Sequence, residues 1–269
     1  MPFNEKDKVR IGILNIMPEA EKYEKYLINS IANQNISVDI VLIKAKNHTY
    51  TSSDKAHLDK FYINFDKAIE TKKLDGLIIT GAPVETIPFE NISYWSELIE
   101  IFDYAKHNII NTLGICWGGI AIGKYLGINN TIFKNKLFGV FSSEYLQKNH
   151  WINNCSTKIF NCPQSRYAGL NENELLIAEN NDLIRLLVNS GEALHYIFES
   201  SDERFIAHLG HPEYNTTRIL AEYNRDKLKG INNIPQHFDI NNPVYSWQKS
   251  SIDFFTNWLN MIYSRKIIS

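Results

Sequence analysis

The segment NIINTLGICWGGIAIGKYL, Asn108 to Leu126, constrains the fold of this chain more than any other. A short apolar run ends in Gly114-Ile115-Cys116-Trp117-Gly118, and a helical pattern begins at once. Gly-x-Cys-x-Gly between a strand and a helix is the nucleophile-elbow arrangement, with Cys in place of Ser. So sharp a turn forces neighbouring backbone close together, and small residues two before and two after the cysteine meet that demand. The Cys116 side chain then stands at the first turn of a helix. Backbone N–H groups and the helix dipole there lower a thiol pKa and can hold an oxyanion. The competing reading is a buried structural cysteine, since free Cys is among the most buried residue types.

The rest of the first half fits such an elbow. Val9 to Ile16, Val38 to Ile43, Gly76 to Thr80 and Ile109 to Ile115 read as strands. Helical patterns over Glu19 to Asn33, Lys55 to Glu70 and Tyr94 to His107 alternate with them. This β-α-β-α rhythm predicts an α/β fold with a mainly parallel central sheet flanked by helices on both faces. The second half is less regular. Leu137 to Ser142, Tyr196 to Glu199 and Arg204 to Leu209 look like strands, and Thr216 to Lys229 and Trp247 to Tyr263 look helical. Gly230 to Tyr245, with its Pro-containing turns, reads as an extended surface excursion. No repeat or clear linker divides residues 1–269, so one domain is expected.

Composition narrows the function classes. The formal net charge is −2, which gives no footprint for nucleic acid or an anionic membrane. There is no apolar run of membrane-spanning length, and Met1 to Arg10 is charged where a secretory signal would be apolar, so a cytoplasmic protein is expected. Three cysteines, Cys116, Cys155 and Cys162, are too few and too unevenly spaced for a disulfide framework or a paired zinc motif. Cys155 and Cys162 read as ordinary core or surface residues.

A cysteine nucleophile needs a base, usually a histidine held by a third group. Of 8 His, His211 has the best setting, because the apolar run RFIAHLG delivers it to a Gly-His-Pro-Glu turn. That turn should lie at the carboxyl edge of the sheet, where open α/β folds bind ligands. Glu213 follows two residues on, across a stiffening Pro212, and can face the imidazole N–H. A strand-capping turn histidine is the alternative. His208, on the same strand, reads as packed against the sheet.

With Cys116, His211 and Glu213 in that order, the chain resembles the class I glutamine-amidotransferase-like fold, a flavodoxin-like three-layer sandwich. More narrowly, it resembles the homoserine O-acyltransferases of methionine biosynthesis. The resemblance is carried by Ile13–Pro18 (ILNIMP), Thr80–Glu85 (TGAPVE), Tyr94-Trp95, Ile115–Gly118 (ICWG), Gly139–Phe141 (GVF) and Ser165-Arg166. It continues through Gly210–Tyr214 (GHPEY), Glu222–Asp226 (EYNRD) and Asn257–Asn260 (NWLN), in order over nearly the whole chain.

The resemblance implies catalytic roles for Cys116, His211 and Glu213, matching the assignment made from the residues alone. It implies that Arg225 pairs with the substrate carboxylate and that Arg166 is another pocket arginine. A guanidinium fork suits a carboxylate, although a solvated charge is the default for either. In this family Glu after TGAPV goes with acetyl-CoA and Gly with succinyl-CoA, so Glu85 implies an acetyl donor. Its carboxylate would repel a succinyl carboxylate. Trp117 is expected to meet the substrate through its backbone amide, together with a residue near Gly81 to Val84. The expected reaction is a ping-pong O-acetyl transfer from acetyl-CoA to L-homoserine, with no tightly bound cofactor and no metal. Small molecules are the expected partners, and a homodimer is one assembly the resemblance allows.

Four features depart from the family pattern. Only about a dozen residues precede ILNIMP, Ile120 replaces a Gln, Gln164 replaces a His, and Lys46–Thr49 aligns only with a shift. They leave L-serine open as the acceptor, since one methylene is worth only about 1–3 kcal/mol of discrimination. A glutamine amidotransferase or related cysteine hydrolase on the same fold, and a binding protein that has lost activity, are the other readings.

Overall fold

The computed structural model describes residues 8–32, 36–153 and 159–268. Cys155 lies outside them. The first half builds as its hydrophobic rhythm predicts: β1 (Val9–Leu14), α1 (Ala20–Ala32), β2 (Val38–Lys44), β4 (Gly76–Ile79), α4 (Trp95–Asn108), β5 (Asn111–Ile115) and α5 (Trp117–Tyr125). Between β2 and β4 the expected single helix is two helices, α2 (Lys55–Phe61) and α3 (Phe65–Thr71), separated by the two-residue strand β3 (Ile63–Asn64). Tertiary contacts override the local pattern here. Tyr62 is buried, donates its hydroxyl to Glu24 at 2.6 Å, and accepts from Asn15 Nδ2 at 2.9 Å, which turns the chain out of the helix.

The second half adds β6 (Asn130–Tyr145), β7 (Ile159–Leu170), α6 (Glu172–Asn180), β8 (Ile184–Ser190), β9 (Leu194–Ser200), β10 (Phe205–His208), α7 (Thr216–Leu228) and α8 (Gln248–Ile268). The ten strands among the described residues join one sheet in the order β3-β2-β1-β4-β5-β10-β9-β8-β6-β7. The five pairings from β3 to β10 are parallel, and the four from β10 to β7 are antiparallel. The parallel strands β1, β4 and β5 are buried along their whole length, as expected of strands covered on both faces.

The Gly230 to Tyr245 stretch is tied to the sheet. Gly139 and Gln236 form a parallel bridge, the Val140 N–H donates to the Gln236 carbonyl at 2.9 Å, and a Cβ at Gly139 would sit 2.1 Å from that same oxygen. With φ at +144°, position 139 in the GVF segment suits glycine on both counts. Helix α8 docks by its NWLN segment, where the Trp258 indole N–H donates to buried Asn111 Oδ1 at 2.8 Å. No helix among the described residues is long and apolar enough to cross a membrane.

Candidate active site

Four parallel strands, β1, β4, β5 and β10, deliver a residue just beyond their carboxyl ends into one cavity of about 600 Å³. These are Met17, Gly81, Cys116 and His211. The carboxyl edge of a parallel sheet is where such folds place ligands.

The elbow is built as its glycines predict. Cys116 has φ 52° and ψ −115°, a strained backbone for a non-glycine residue. A Cβ on Gly114 would approach the Gly118 carbonyl oxygen to 2.3 Å, and one on Gly118 would approach the Ile79 carbonyl oxygen equally closely, at 2.3 Å. Any side chain at either position would push the turn apart. The Cys116 N–H donates to the His208 carbonyl at 2.8 Å, locking the elbow to the neighbouring strand that carries His211. Trp117 is the first residue of α5, so its N–H has no intrahelical acceptor. Gly81 packs against the nucleophile from the other side, 3.7 Å from Cys116 Sγ to an ideal Cβ position.

His211 and Glu213 face each other as expected. Nδ1 lies 2.7 Å from Glu213 Oε1, and both residues are buried. A carboxylate at Nδ1 holds the proton there and leaves Nε2 to exchange protons with substrate. The His211 N–H donates to the Pro163 carbonyl at 2.8 Å, and its ring stacks on Tyr214 at a centroid distance of 3.9 Å. Burial opposes a charge on this imidazole. Even so, charge interactions and hydrogen bonds with Cys116 and Glu213 raise its pKa to about 10. A protonated imidazole next to the sulfur is the arrangement that favours the reactive form of a cysteine nucleophile.

Beyond this set the cavity wall is strongly charged. Lys136 from β6 is almost fully buried and pairs with Asp226 at 2.9 Å and Glu222 at 3.6 Å. Glu222 also accepts from the Tyr214 hydroxyl at 2.8 Å, from Arg218 Nη2 at 3.2 Å and from the Ser165 hydroxyl. Burial works against its charge, but Arg218 and Lys136 hold its pKa below the usual carboxylate value. Lys136, Ser165, Arg218 and Glu222 had no signal of their own in the sequence. Lys136 lies in a polar stretch, Arg218 sits in a helical pattern outside every motif, and Ser165 and Glu222 were noted only as parts of longer motifs.

Glu85 and Arg225 line the same cavity. Glu85 is half-buried, and its Oε1 accepts weakly from the Tyr167 N–H at 3.4 Å. Arg225 is more exposed and gives Nε and Nη2 to Asp226 Oδ1 at 3.1 and 2.9 Å. Of the other two expected binding residues, Arg166 is placed off the cavity wall. Arg166 is only 1% exposed and turned off the wall, its guanidinium spent on Gln164 Oε1, the Ala168 carbonyl and the Ala193 carbonyl at 2.8–2.9 Å. It braces the wall from behind and is not among the residues that line the cavity. The Trp117 indole is core, against Phe89 and edge-on to Tyr94, which leaves the backbone amide as the group of Trp117 that faces the elbow, as expected.

His208 is fully buried, and that burial lowers its pKa to about 3, so it is a neutral packing residue that accepts from the Gly210 N–H. Cys162 is buried beside it, and burial pushes its thiol pKa far up. Among the described residues no group of His, Cys, Asp and Glu side chains gathers as a metal site.

The family model described as homoserine O-succinyltransferase matches residues 4–267. The chain is 38% identical over 268 residues to a homoserine O-acetyltransferase of Clostridium botulinum (strain Alaska E43 / Type E3), spanning 94% of this chain and 83% of the relative. It is 38% identical over 259 residues to a homoserine O-acetyltransferase of Bacillus cereus (strain ATCC 14579), spanning 94% and 85%. Among solved structures, a glutamine amidotransferase from Thermotoga maritima superposes with TM-score 0.56 at 15% identity, over 97% of this chain and 99% of that one. A glutamine amidotransferase from Methylobacillus flagellatus gives 0.56 at 13%, over 97% and 94%. At such identities the structural likeness concerns the fold alone.

Proposed function

This chain belongs to the homoserine O-succinyltransferase family, and from that membership we propose that it moves an acetyl group from acetyl-CoA to the side-chain hydroxyl of L-homoserine through an acyl-enzyme on Cys116. The observation that carries the proposal is the opening of Cys116, His211 and Glu85 into one cavity, with Glu213 held 2.7 Å behind the imidazole. Residues 1–269 act as one domain, a reading supported by the single sheet that both halves share among the described residues, and membership of a biosynthetic enzyme family supports a cytoplasmic location.

In the first half-reaction the Cys116 thiolate attacks the thioester carbonyl carbon. The Trp117 N–H and backbone of the Gly81 turn hold the oxyanion. The carbon–sulfur bond to CoA breaks, and the departing CoA thiolate takes the proton of the His211 imidazolium. Acylation also removes the charge of Cys116, the foremost influence raising the His211 pKa, so the imidazole that remains is a free base. In the second half-reaction the acceptor hydroxyl gives its proton to His211 Nε2 and its oxygen attacks the acyl carbon. The thiolate leaves, and the thiolate–imidazolium pair is restored.

Arg225 receives the acceptor carboxylate, exchanging part of its bond to Asp226 for a fork onto the substrate. Glu85 selects the donor. A half-buried carboxylate in the acyl pocket leaves an acetyl methyl group undisturbed but opposes a second carboxylate. The relatives named as acetyltransferases agree with that selection.

The test follows CoA release from acetyl-CoA with L-homoserine and L-serine offered separately, and Cys116→Ala as control. Homoserine-dependent release that the variant lacks supports the proposal. Serine-dependent release alone changes the acceptor and keeps the chemistry. Release with neither, alongside thiol-dependent hydrolysis of glutamine, overturns it in favour of an amidotransferase-type reaction.

A further inference from the structure

The hydrogen-bonded set behind the cavity extends beyond Glu213. Tyr23, on helix α1, donates its hydroxyl to Glu213 Oε1 at 2.5 Å, the oxygen that also lies 2.7 Å from His211 Nδ1. Both Tyr23 and Glu213 are 2% exposed. The second carboxylate oxygen, Oε2, is buried with no hydrogen-bond partner among the described residues. All the described hydrogen bonding of this side-chain carboxylate therefore runs through one oxygen and is divided between Tyr23 and His211.

We propose that Tyr23 is a positioning residue for acyl transfer, acting on the imidazole through Glu213. The inference rests on the reading of His211 and Glu213 as base and orienter. A phenol donating to a buried carboxylate does two things. It fixes the carboxylate's rotation toward His211, and it disperses the negative charge that the imidazolium would otherwise face alone. Burial and the adjacent Glu213 push the Tyr23 pKa well above its ordinary value, so the hydroxyl stays a donor at every working pH.

The position of Tyr23 is set by its helix. The next residue, Glu24, accepts from the Tyr62 hydroxyl at 2.6 Å and faces His57 Nε2 at 2.9 Å, which pins this turn of α1 independently of Glu213. Other titratable groups surround the pair. Cys116 faces the imidazole from the elbow, and Tyr214, Arg218 and Glu222 face it from the turn before α7 and from α7 itself. Cys162 and Arg166 stand on β7, His208 on β10, and Tyr245 precedes α8. Among the described residues none of these donates to the Glu213 carboxylate; Tyr23 is its only donor besides His211.

Tyr23→Phe keeps the ring and deletes the hydroxyl. Glu213 then bears on His211 undivided, the imidazolium gains stability, and the neutral base appears at higher pH. The acid limb of kcat should move up by about one unit, with a fall of up to about tenfold in kcat at neutral pH. KM for the acyl donor should stay within about twofold, since Tyr23 touches no substrate. Titration of 13C-labelled His211, followed by NMR, should show the same upward shift.

A purely structural role would lower the melting temperature and leave both the pH profile and the His211 titration on those of the parent, and that result overturns the inference while the catalytic reading stands. If His211→Ala itself retains full activity, the reading of the site falls, and the role of Tyr23 with it.

Discussion

Gly118 lies so close to Ile79 that a Cβ on it would come within 2.3 Å of the Ile79 carbonyl oxygen. The contact ties the elbow to β4, the strand whose end supplies Gly81 to the cavity. Gly118→Ala must therefore shift backbone, a costlier change than moving a flexible side chain. It should destabilise the fold by about 3 kcal/mol or more in denaturant unfolding. Gly191→Ala, where an added Cβ meets nothing within 4 Å, should stay close to the parent. Equal midpoints for Gly118→Ala and the parent would contradict this packing.

Glu85 is expected to set the donor by charge. Replacing it with Gly or Ala removes the carboxylate from the acyl pocket, so kcat/KM for succinyl-CoA should rise relative to acetyl-CoA by about 10- to 100-fold, the equivalent of about 1.4–2.8 kcal/mol. Steady-state rates with the two donors measure it. An unchanged ratio would remove Glu85 from the specificity argument.

Arg225 should matter only to the second substrate. Arg225→Ala is expected to raise KM for the amino-acid acceptor by about 10- to 100-fold through loss of a charged hydrogen-bond pair. Rapid-quench acylation by acetyl-CoA in the absence of acceptor should be unaltered. A matching loss in the acylation step would mean that Arg225 serves the site as a whole.

The two half-reactions should respond differently to pH. With its pKa raised to about 10 in the free enzyme, His211 carries its proton throughout the neutral range, and acylation should vary little there. Deacylation needs the neutral imidazole, so its rate should fall on acidification, with a limb below the free-enzyme value because the charge of Cys116 is gone. Single-turnover rates across pH separate the steps. Parallel profiles for both would contradict the exchange of roles by His211.

Much of this was legible in the chain itself. Cys116 was marked by the glycines that its turn requires, and His211 and Glu213 by a strand end followed by a rigid two-residue spacing. Apart from the two-residue β3, the parallel half was legible because each of its strands is a short apolar run. The antiparallel half was legible only in part: segments of β6 and β9 read as strands, and β7 and β8 did not. In β7 the run IFNCPQSRYAGL mixes Pro, Gln and Arg with apolar residues, so neither strand period stands out. Arg166 shows why a motif match is not a location: in the fold its guanidinium is drawn inward by two backbone carbonyls and Gln164. Tyr23 was hidden for another reason. Its spacing with Tyr26 and Leu27 looks like an ordinary core-facing helix stripe, and only the fold brings it to Glu213.

The central claim is the acyl-enzyme on Cys116. Incubating the protein with acetyl-CoA and no acceptor, then quenching in acid and mapping peptides by mass spectrometry, tests it directly. The account predicts one acetyl group on the peptide that contains Cys116, discharged by adding L-homoserine and absent from Cys116→Ala. Acetyl transfer that proceeds in Cys116→Ala at the parental rate, with no acetylated peptide at any time, would contradict it.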